Sequence, residues 1–180
     1  FIKDSQNPNP IVRALAVRTM CRIRIQSVAE NMVIPLKKTL EDTDPYVRKT
    51  SALGVAKLYD IIPDIVESSG LFQNLINLLN DDNPMVVANS IAGICEINDK
   101  RKERILDFNE KVVLSILSAL DDCSSWCQIM ILDALAKYRP ESSDHAASLN
   151  DRLSSFLNNS NPAVVISAFK CIYNSLDYDY

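Results

Sequence analysis

The stretch that decides the fold is Asn9-Pro10-Ile11-Val12-Arg13-Ala14-Leu15-Ala16, in which a polar residue and a proline precede a mostly apolar run. An Asn before Pro is a good N-cap, because its side-chain oxygen accepts a backbone N–H that has no partner inside the helix. Proline suits the first helical position, where its missing N–H would be unpaired anyway. The stretch therefore predicts a helix that begins at Pro10.

The same motif returns along the chain. Three further copies are Asp44-Pro45-Tyr46-Val47-Arg48-Lys49, Asn83-Pro84-Met85-Val86-Val87-Ala88 and Asn161-Pro162-Ala163-Val164-Val165. The prolines lie 35, 39 and 78 residues apart, and because the last gap is twice 39 we expect a degenerate copy without proline near residue 124. A period of about 35–40 residues is typical of helical solenoids.

A second helix is predicted before each motif. Apolar residues at helical spacing indicate these helices near residues 28–40, 71–79, 111–120 and 145–157, and no alternating run long enough for a strand is found. The sequence therefore predicts an all-α fold, a right-handed α-α superhelix of the HEAT/armadillo-like solenoid type, with about nine helices. We expect residues 1–180 to form a single solenoid segment of about 4.5 repeats, with second helices starting near residues 10, 45, 84, 124 and 162. We also expect it to be a fragment of a longer trunk.

The composition excludes several functions. There are 19 Lys+Arg against 23 Asp+Glu and a net charge of −4, which disfavours nucleic acid as a partner because a duplex binder needs a basic face. Three scattered glycines cannot form a phosphate-binding loop. No nucleophile, base or metal ligands are clustered, so we predict no enzyme, no catalytic residue, no metal and no cofactor. Cys123 and Cys127 lack a second Cys/His pair, and the five cysteines are predicted to be free thiols, four of them in apolar helical patterns.

Several strings in collinear order point to one family. They are IVRALAVRTM at 11–20, DPYVRKT at 44–50, NPMVVAN at 83–89 and Trp126-x-Gln128-Ile129 in the degenerate copy, where Cys127 stands in place of a glycine usual in the family. Together they resemble the trunk of a beta-adaptin, the large beta subunit of a heterotetrameric clathrin adaptor complex. The strings extend over nearly the whole chain.

The resemblance implies a structural scaffold segment in vesicle-mediated intracellular protein transport, with cargo sorting and coat assembly at an endosomal, trans-Golgi or plasma membrane. Its implied partners are a second large adaptin, the medium and small adaptor subunits and a small recruiting GTPase, with clathrin engaged only through regions beyond this chain. The implied location is cytoplasmic, peripheral on coated vesicles or on those membranes. The alternative is another HEAT-repeat scaffold, such as a nuclear-transport receptor or a phosphatase scaffold.

The motif also resembles that of HEAT repeats, which carries a further implication. In that family an acidic residue before the proline and an arginine three residues after it form a ladder between repeats. Arg13 and Arg48 occupy the arginine position, whereas Val87, Val165 and, in the degenerate copy, Cys127 replace it. We therefore expect the ladder only at the first two motifs and apolar burial beyond them.

The first third of the chain is basic, since residues 1–60 carry 10 Lys/Arg against 6 Asp/Glu. One interpretation is a docking face for another subunit or a small GTPase, with five candidates: Arg13, Arg18, Arg22, Arg48 and Lys49. The other is pairing between repeats together with ordinary solubility. Arg18 and Arg22 lie four residues apart on one helical face and would gain from an acidic partner.

Two other features admit two interpretations each. The basic run Lys100, Arg101, Lys102 and Arg104 suits contact with an anionic lipid surface, and equally a solvated loop. Trp126 stands where the proline motif fails, so it is either an exposed anchor for a partner or core filling at a change of repeat spacing, and we expect core filling.

Overall fold

The computed structural model describes residues 1–101, 103, 105–106, 109–140 and 142–176, with the side chains of 110 and 111 left out. The chain divides into two compact units, Phe1–Asp107 (unit 1) and Phe108–Tyr180 (unit 2). Each unit is built from helices, and no strand occurs among the residues just given. The predicted all-α class is confirmed.

Unit 1 contains seven α-helices within its described residues. These are α1 (Pro10–Met20), α2 (Gln26–Glu30), α3 (Val33–Leu40), α4 (Pro45–Tyr59), α5 (Pro63–Ser69), α6 (Leu71–Asn77) and α7 (Pro84–Asn98). Short 3₁₀ helices lie at Asp4–Gln6 and Leu78–Asn80. Unit 2 contains α8 (Glu110–Leu120), α9 (Ser125–Leu135), α10 (Ser143–Ser154) and α11 (Pro162–Leu176), with a 3₁₀ helix at Ser155–Asn158.

The described part of the chain thus has eleven α-helices where about nine were expected, because the predicted helix near 28–40 is divided into α2 and α3, and α5 forms where only a short turn was expected. Pro35 has no N–H to donate to the Asn31 carbonyl, so α2 ends and α3 begins beside that position. Gly70, with φ of +81°, separates α5 from α6 in a left-handed conformation that L side chains rarely adopt.

Each proline motif begins a helix through the same hydrogen bond. The Asn or Asp side chain accepts the backbone N–H two residues later, at 2.8–3.0 Å, in the pairs Asn9–Ile11, Asp44–Tyr46, Asn83–Met85 and Asn161–Ala163. The degenerate copy places Ser124 before α9, without a side-chain cap bond. The N-cap geometry is therefore what the four motifs share.

The helices that start at these motifs pack against one another within each unit. In unit 1, α4 contacts both α1 and α7, and in unit 2, α9 contacts α11. Ala52, Val55 and Ala56 are fully buried in α4. A Cβ added at Gly93 would lie 3.0 Å from the Ala52 carbonyl oxygen, so glycine permits the close approach of α7 to α4. Small side chains therefore set the spacing of these helices.

Candidate docking surface

Two arginines join successive motif helices in unit 1. Arg13 donates from Nε and Nη2 to the two carboxylate oxygens of Asp42, at 2.8 and 2.7 Å. Arg48 donates in the same way to Asp81, at 2.7 and 2.9 Å. Parallel two-point pairing of this kind fixes orientation as well as adding energy. We call these two pairs the arginine ladder.

The ladder arginines have little left to offer a partner. Nη1 of Arg13 donates to the carbonyls of Asn7 and Pro8, and the side chains of Arg13 and Asp42 are only 15% and 10% exposed. Burial pushes the pKa of Asp42 up, but the hydrogen bonds and charge of Arg13, with the N–H of Asp44, bring it below the ordinary value. The hydrogen bond to Asp42 raises the pKa of Arg13.

The acidic member of the ladder is not the residue expected from the HEAT pattern. The carboxylate of Asp44 accepts the Tyr46 N–H as a helix cap, whereas Asp42, two residues earlier, receives Arg13. In the next motif Asn83 is the cap and Asp81 receives Arg48. The expectation that the residue before proline pairs with arginine was wrong, because that side chain is already engaged by the helix N-terminus.

The arginine position is altered in the later motifs. Val87 is buried in α7. In the degenerate copy, α9 begins at Ser125, so the position three residues after the first helical residue is Gln128 rather than Cys127. Gln128 Nε2 donates to the Leu120 carbonyl at 3.3 Å. A neutral amide thus stands where the first two motifs have a guanidinium. The expectation that Cys127 occupies the arginine position was wrong by one residue.

A basic groove of about 780 Å³ lies beside the ladder in unit 1. Its basic side chains come from two parts of the chain. Arg18 lies in α1 and Arg22 and Arg24 follow that helix, whereas Lys49 and Lys57 lie in α4. Tyr46 and Asp60 also line it. We call the remaining lining residues the floor of the groove: Cys21, Thr50, Leu53, Gly54, Ile61 and Asn89. We refer to this feature as the basic groove.

The basic groove differs from the ladder in how its charges are paired. The side chains of Arg18, Arg22 and Arg24 are exposed, and no hydrogen bond or ion pair joins these side chains to any residue in the described part of the chain. Lys49 lies over the Tyr46 ring, 4.7 Å from its centroid. Lys57 pairs with Glu96 at 2.6 Å. The α1 wall of the basic groove is therefore a row of uncompensated positive charge.

The five docking candidates consequently form two groups. Arg13 and Arg48 serve the arginine ladder, as the interpretation of pairing between repeats proposed. Arg18, Arg22 and Lys49 line the basic groove. The docking hypothesis now depends on these three residues. The sequence did not predict that Arg24, Tyr46 and Lys57 lie beside them in the basic groove. That signal appears only once α1 and α4 are packed together.

The predicted lipid-contact residues lie near acidic side chains. Lys100 pairs with Asp60 and with Glu96, the latter at 3.1 Å. Arg101 pairs with Glu67 at 2.9 Å, and its guanidinium lies 5.1 Å from the centroid of the Phe72 ring. Lys102 and Arg104 lie outside the described residues. Contact with lipid through this run stays a prediction.

Trp126 is an exposed side chain, so the expectation of core filling was wrong. Its exposed fraction is 74%. It occupies the second residue of α9, the position held by Ile11, Tyr46 and Met85 in the helices of unit 1, which are exposed as well. Because the side chain at this position points away from the packed face in each case, repeat position rather than residue size decides its exposure.

The described residues offer little for covalent or metal chemistry. No group of three or more His, Cys, Asp or Glu among them could hold a metal ion. All five cysteines are free thiols. Burial raises the pKa of Cys21, Cys123 and Cys171 to about 12, so these thiols stay protonated at neutral pH. None of the helices within the same part of the chain has the length and apolar character to cross a membrane.

Comparison with known proteins places these repeats among relatives. The model of the family Cnd1, described as non-SMC mitotic condensation complex subunit 1, matches residues 11–174. The chain is 45% identical over its whole length to AP-1 complex subunit beta-1 of Homo sapiens, and 39% identical over 99% of its length to AP-2 complex subunit beta of Schizosaccharomyces pombe. It spans 20% and 26% of those proteins, respectively.

Among solved structures, a computationally designed armadillo repeat protein matches 97% of this chain and 80% of its own, with a TM-score of 0.60 and 21% sequence identity. At that identity the likeness supports the helical-repeat fold alone. Fold and sequence relationship therefore come from independent comparisons, and both agree with the repeated motif.

Proposed function

We propose that this chain is a scaffold segment of a clathrin-associated adaptor complex, because it belongs to the family of the Cnd1 model and, by sequence identity, to the beta-adaptins. The single observation that carries the proposal is 45% identity maintained over the whole chain. The chain spans about a fifth of the length of those relatives. The activity and partners of a complete adaptor are therefore part of the proposal.

The arrangement of the helices supports a role in holding other polypeptides. The arginine ladder and the buried small residues give unit 1 a well-defined stack, as a scaffold requires. Large apolar side chains are exposed at the starts of motif helices in both units, among them Tyr46 in unit 1 and Trp126 in unit 2. Exposed aromatic residues of this kind often anchor partners. We propose a non-catalytic role on these grounds.

The finer proposal concerns the assembly and its place in the cell. The partners would be a second large adaptin, a medium subunit and a small subunit, with a small GTPase recruiting the complex. The segment would act in cytoplasmic vesicle traffic, on coated vesicles or at an endosomal, trans-Golgi or plasma membrane. Both AP-1 and AP-2 beta subunits are among its relatives, and similarity to both leaves the choice of membrane to experiment.

The alternative class is a HEAT-type scaffold outside adaptors, and the Cnd1 family, named for a subunit of the mitotic condensation complex, points to another such assembly. The adaptor proposal has the stronger support. The run Trp126-Cys127-Gln128-Ile129 belongs to the strings that resemble beta-adaptins, whereas the proline motif alone is shared by many helical repeats.

Affinity purification of the tagged full-length parent protein from its own cells tests the proposal. We expect recovery of a second large adaptin, a medium subunit and a small subunit in equal proportion. An equally tagged parent that lacks residues 1–180 serves as the control, and we expect it to recover less of the complex. Recovery of chromosome-condensation, nuclear-transport or phosphatase subunits in place of adaptor subunits would contradict the proposal.

A further inference from the structure

We propose that the basic groove binds an extended acidic peptide segment of another polypeptide, with carboxylates at alternate positions. The proposal rests on the proposed scaffold role in taking the occupant to be a polypeptide. The juxtaposition that carries it is a row of three unpaired arginines along one wall, with two lysines and an exposed tyrosine along the other. The ladder shows that this unit pairs arginines closely elsewhere, so unpaired arginines here need an explanation.

The charge of the basic groove is not relieved from within unit 1. Arg18 lies in the last turn of α1, whereas Arg22 lies in the turn after the helix ends and does not share the helical face expected from its spacing. The one acidic residue of the lining, Asp60, already pairs with Lys100, and Lys57 is held by Glu96. An acidic ligand would balance these positive charges and would form charge-assisted hydrogen bonds with guanidinium groups that have no other acceptor.

The dimensions suit an extended chain. Alternate side chains of an extended peptide lie about 6.6 Å apart on one face, so carboxylates at alternate positions share the face that meets the arginines. Tyr46 and Lys57 are separated by about 16 Å along α4, which corresponds to about five extended residues. The basic groove therefore accommodates a short segment and not a folded domain.

The floor of the basic groove fits the same occupant. The side chains of Thr50 and Asn89 are half-buried and donate to the carbonyls of Tyr46 and Met85, so each keeps an oxygen that can accept a peptide N–H. Leu53 and Gly54 add apolar lining. A membrane surface would touch only the most prominent bases and would leave this floor unused. We therefore assign the site to a peptide, and binding to lipid is an outcome that the experiment distinguishes.

Fluorescence anisotropy with the 180-residue chain and a labelled nonapeptide that has glutamates at alternate positions tests the proposal. We expect saturable binding that weakens as salt increases, and no binding by the same peptide with glutamine for glutamate. The triple variant Arg18→Gln, Arg22→Gln, Arg24→Gln is expected to bind about tenfold more weakly, as the loss of three exposed ion pairs implies. Absence of saturable binding to the acidic peptide overturns the proposal.

The matched control removes three positive charges outside the basic groove, as Lys3→Gln, Lys37→Gln, Lys38→Gln. We expect this variant to keep its affinity within about twofold. An equal loss in both triple variants would mean a diffuse field and would overturn the proposal. Circular dichroism confirms that each variant folds, and if the groove variant does not, Arg18→Gln alone is expected to weaken binding about twofold.

A lipid arm completes the test, with vesicles of phosphatidylcholine and phosphatidylserine in place of the peptide. Vesicle binding that the groove variant loses, together with no peptide binding, would reassign the basic groove to a membrane and overturn the proposal. Because the assay uses a synthetic peptide and this chain alone, its failure leaves the purification test of the adaptor role unaffected.

Discussion

Neighbouring motif helices are joined differently in the two units. Unit 1 uses the arginine ladder, in which a guanidinium from one motif helix pairs with a carboxylate just before the next. In unit 2, α11 reaches α9 through three hydrogen bonds spaced along the helix: Ser167 to the Asp133 carboxylate at 3.0 Å, Cys171 to the Leu132 carbonyl at 2.8 Å, and Asn174 to the Ala136 carbonyl at 2.8 Å. The same repeat is thus stabilised by ions in one unit and largely by backbone acceptors in the other.

The difference between the units corresponds to which residue stands at one position of the motif. Three residues before the proline stand Asn7, Asp42, Asp81 and Asn159, and the side chain of each accepts the backbone N–H two residues later at 2.9 Å. This position therefore shapes the turn in all four motifs. Among the four proline motifs it carries a charge only where the preceding motif helix supplies an arginine. Asn159 follows a motif helix with Gln128 at the arginine position, so the charge and its partner are lost together.

The largest effect that separates the units is expected at Asp81. Replacement by Ala leaves the half-buried Arg48 without its carboxylate and removes the acceptor of the Asn83 N–H, so we expect the free energy of unfolding to fall by roughly 3 kcal/mol. Urea denaturation followed by circular dichroism measures this loss. The neighbouring Asp82 is exposed, and Asp82→Ala is expected to change stability by less than about 0.5 kcal/mol. Equal losses in both variants would contradict the role of the ladder.

A smaller effect with a distinct pH dependence is expected at Asp42. Asp42→Asn replaces a charged acceptor of Arg13 by a neutral one and should cost about 1.5 kcal/mol at pH 7. The pKa of Asp42 lies below its ordinary value of 3.8 in the folded chain. The stabilisation is therefore complete above that ordinary value and is lost as the pH falls through the lower folded pKa. Denaturation at pH 7 and near pH 3 should show the two proteins converging in acid, and a constant difference would contradict the assignment.

In unit 2 a single contact should matter less. Asn174→Ala removes the hydrogen bond to the Ala136 carbonyl near the end of α9, and we expect a loss of about 1 kcal/mol. Lys170→Ala, on the exposed side of α11, serves as the control, and we expect it to change the free energy of unfolding by less than about 0.5 kcal/mol. If Asn174→Ala cost as much as Asp81→Ala, the two units would not differ in the way described.

The smallest effect on stability is expected at Trp126. Because its side chain is largely exposed, Trp126→Ala should change the free energy of unfolding by less than about 0.5 kcal/mol. As the only tryptophan of the chain, it also reports its own environment, and its fluorescence should be quenched readily by iodide in the folded state. A quencher-resistant emission would restore the core-filling interpretation.

Much of the fold could be predicted from the sequence, because the proline motif contains its own physical reason. An Asn or Asp cap followed by proline favours the start of a helix, and α1, α4, α7 and α11 start at the four motif prolines. The division of the helix near 28–40 was harder to predict, since Pro35 acts through a hydrogen bond that it cannot make. Residues 63–69 were expected to form a short turn, and the structure shows the helix α5 there. The motif also does not predict that Trp126 is exposed, because the position of this residue in the repeat, and not the size of its side chain, decides its exposure.

The candidate site could be predicted only in part. The charge count of the first third and the spacing of Arg18 and Arg22 pointed to a basic surface, but the partition of the arginines depends on what α1 meets. Asp42 and Asp81 recur three residues before a motif proline, a regularity that could have identified the ladder acceptors. Lys57 and Tyr46 join the basic groove only through the packing of α4 against α1, which no local pattern reports.

The most direct test of the account compares two double variants that remove the same charge. Arg13→Gln, Arg48→Gln disrupts the ladder, and Arg18→Gln, Arg22→Gln strips the α1 wall of the basic groove. Unfolding free energy and affinity for the acidic nonapeptide are measured for both. We predict that the first variant loses stability and keeps its affinity for the peptide within about twofold of that of the unmodified chain. The second variant keeps its stability and loses most of its affinity. Parallel losses of stability and binding in both variants would contradict the account.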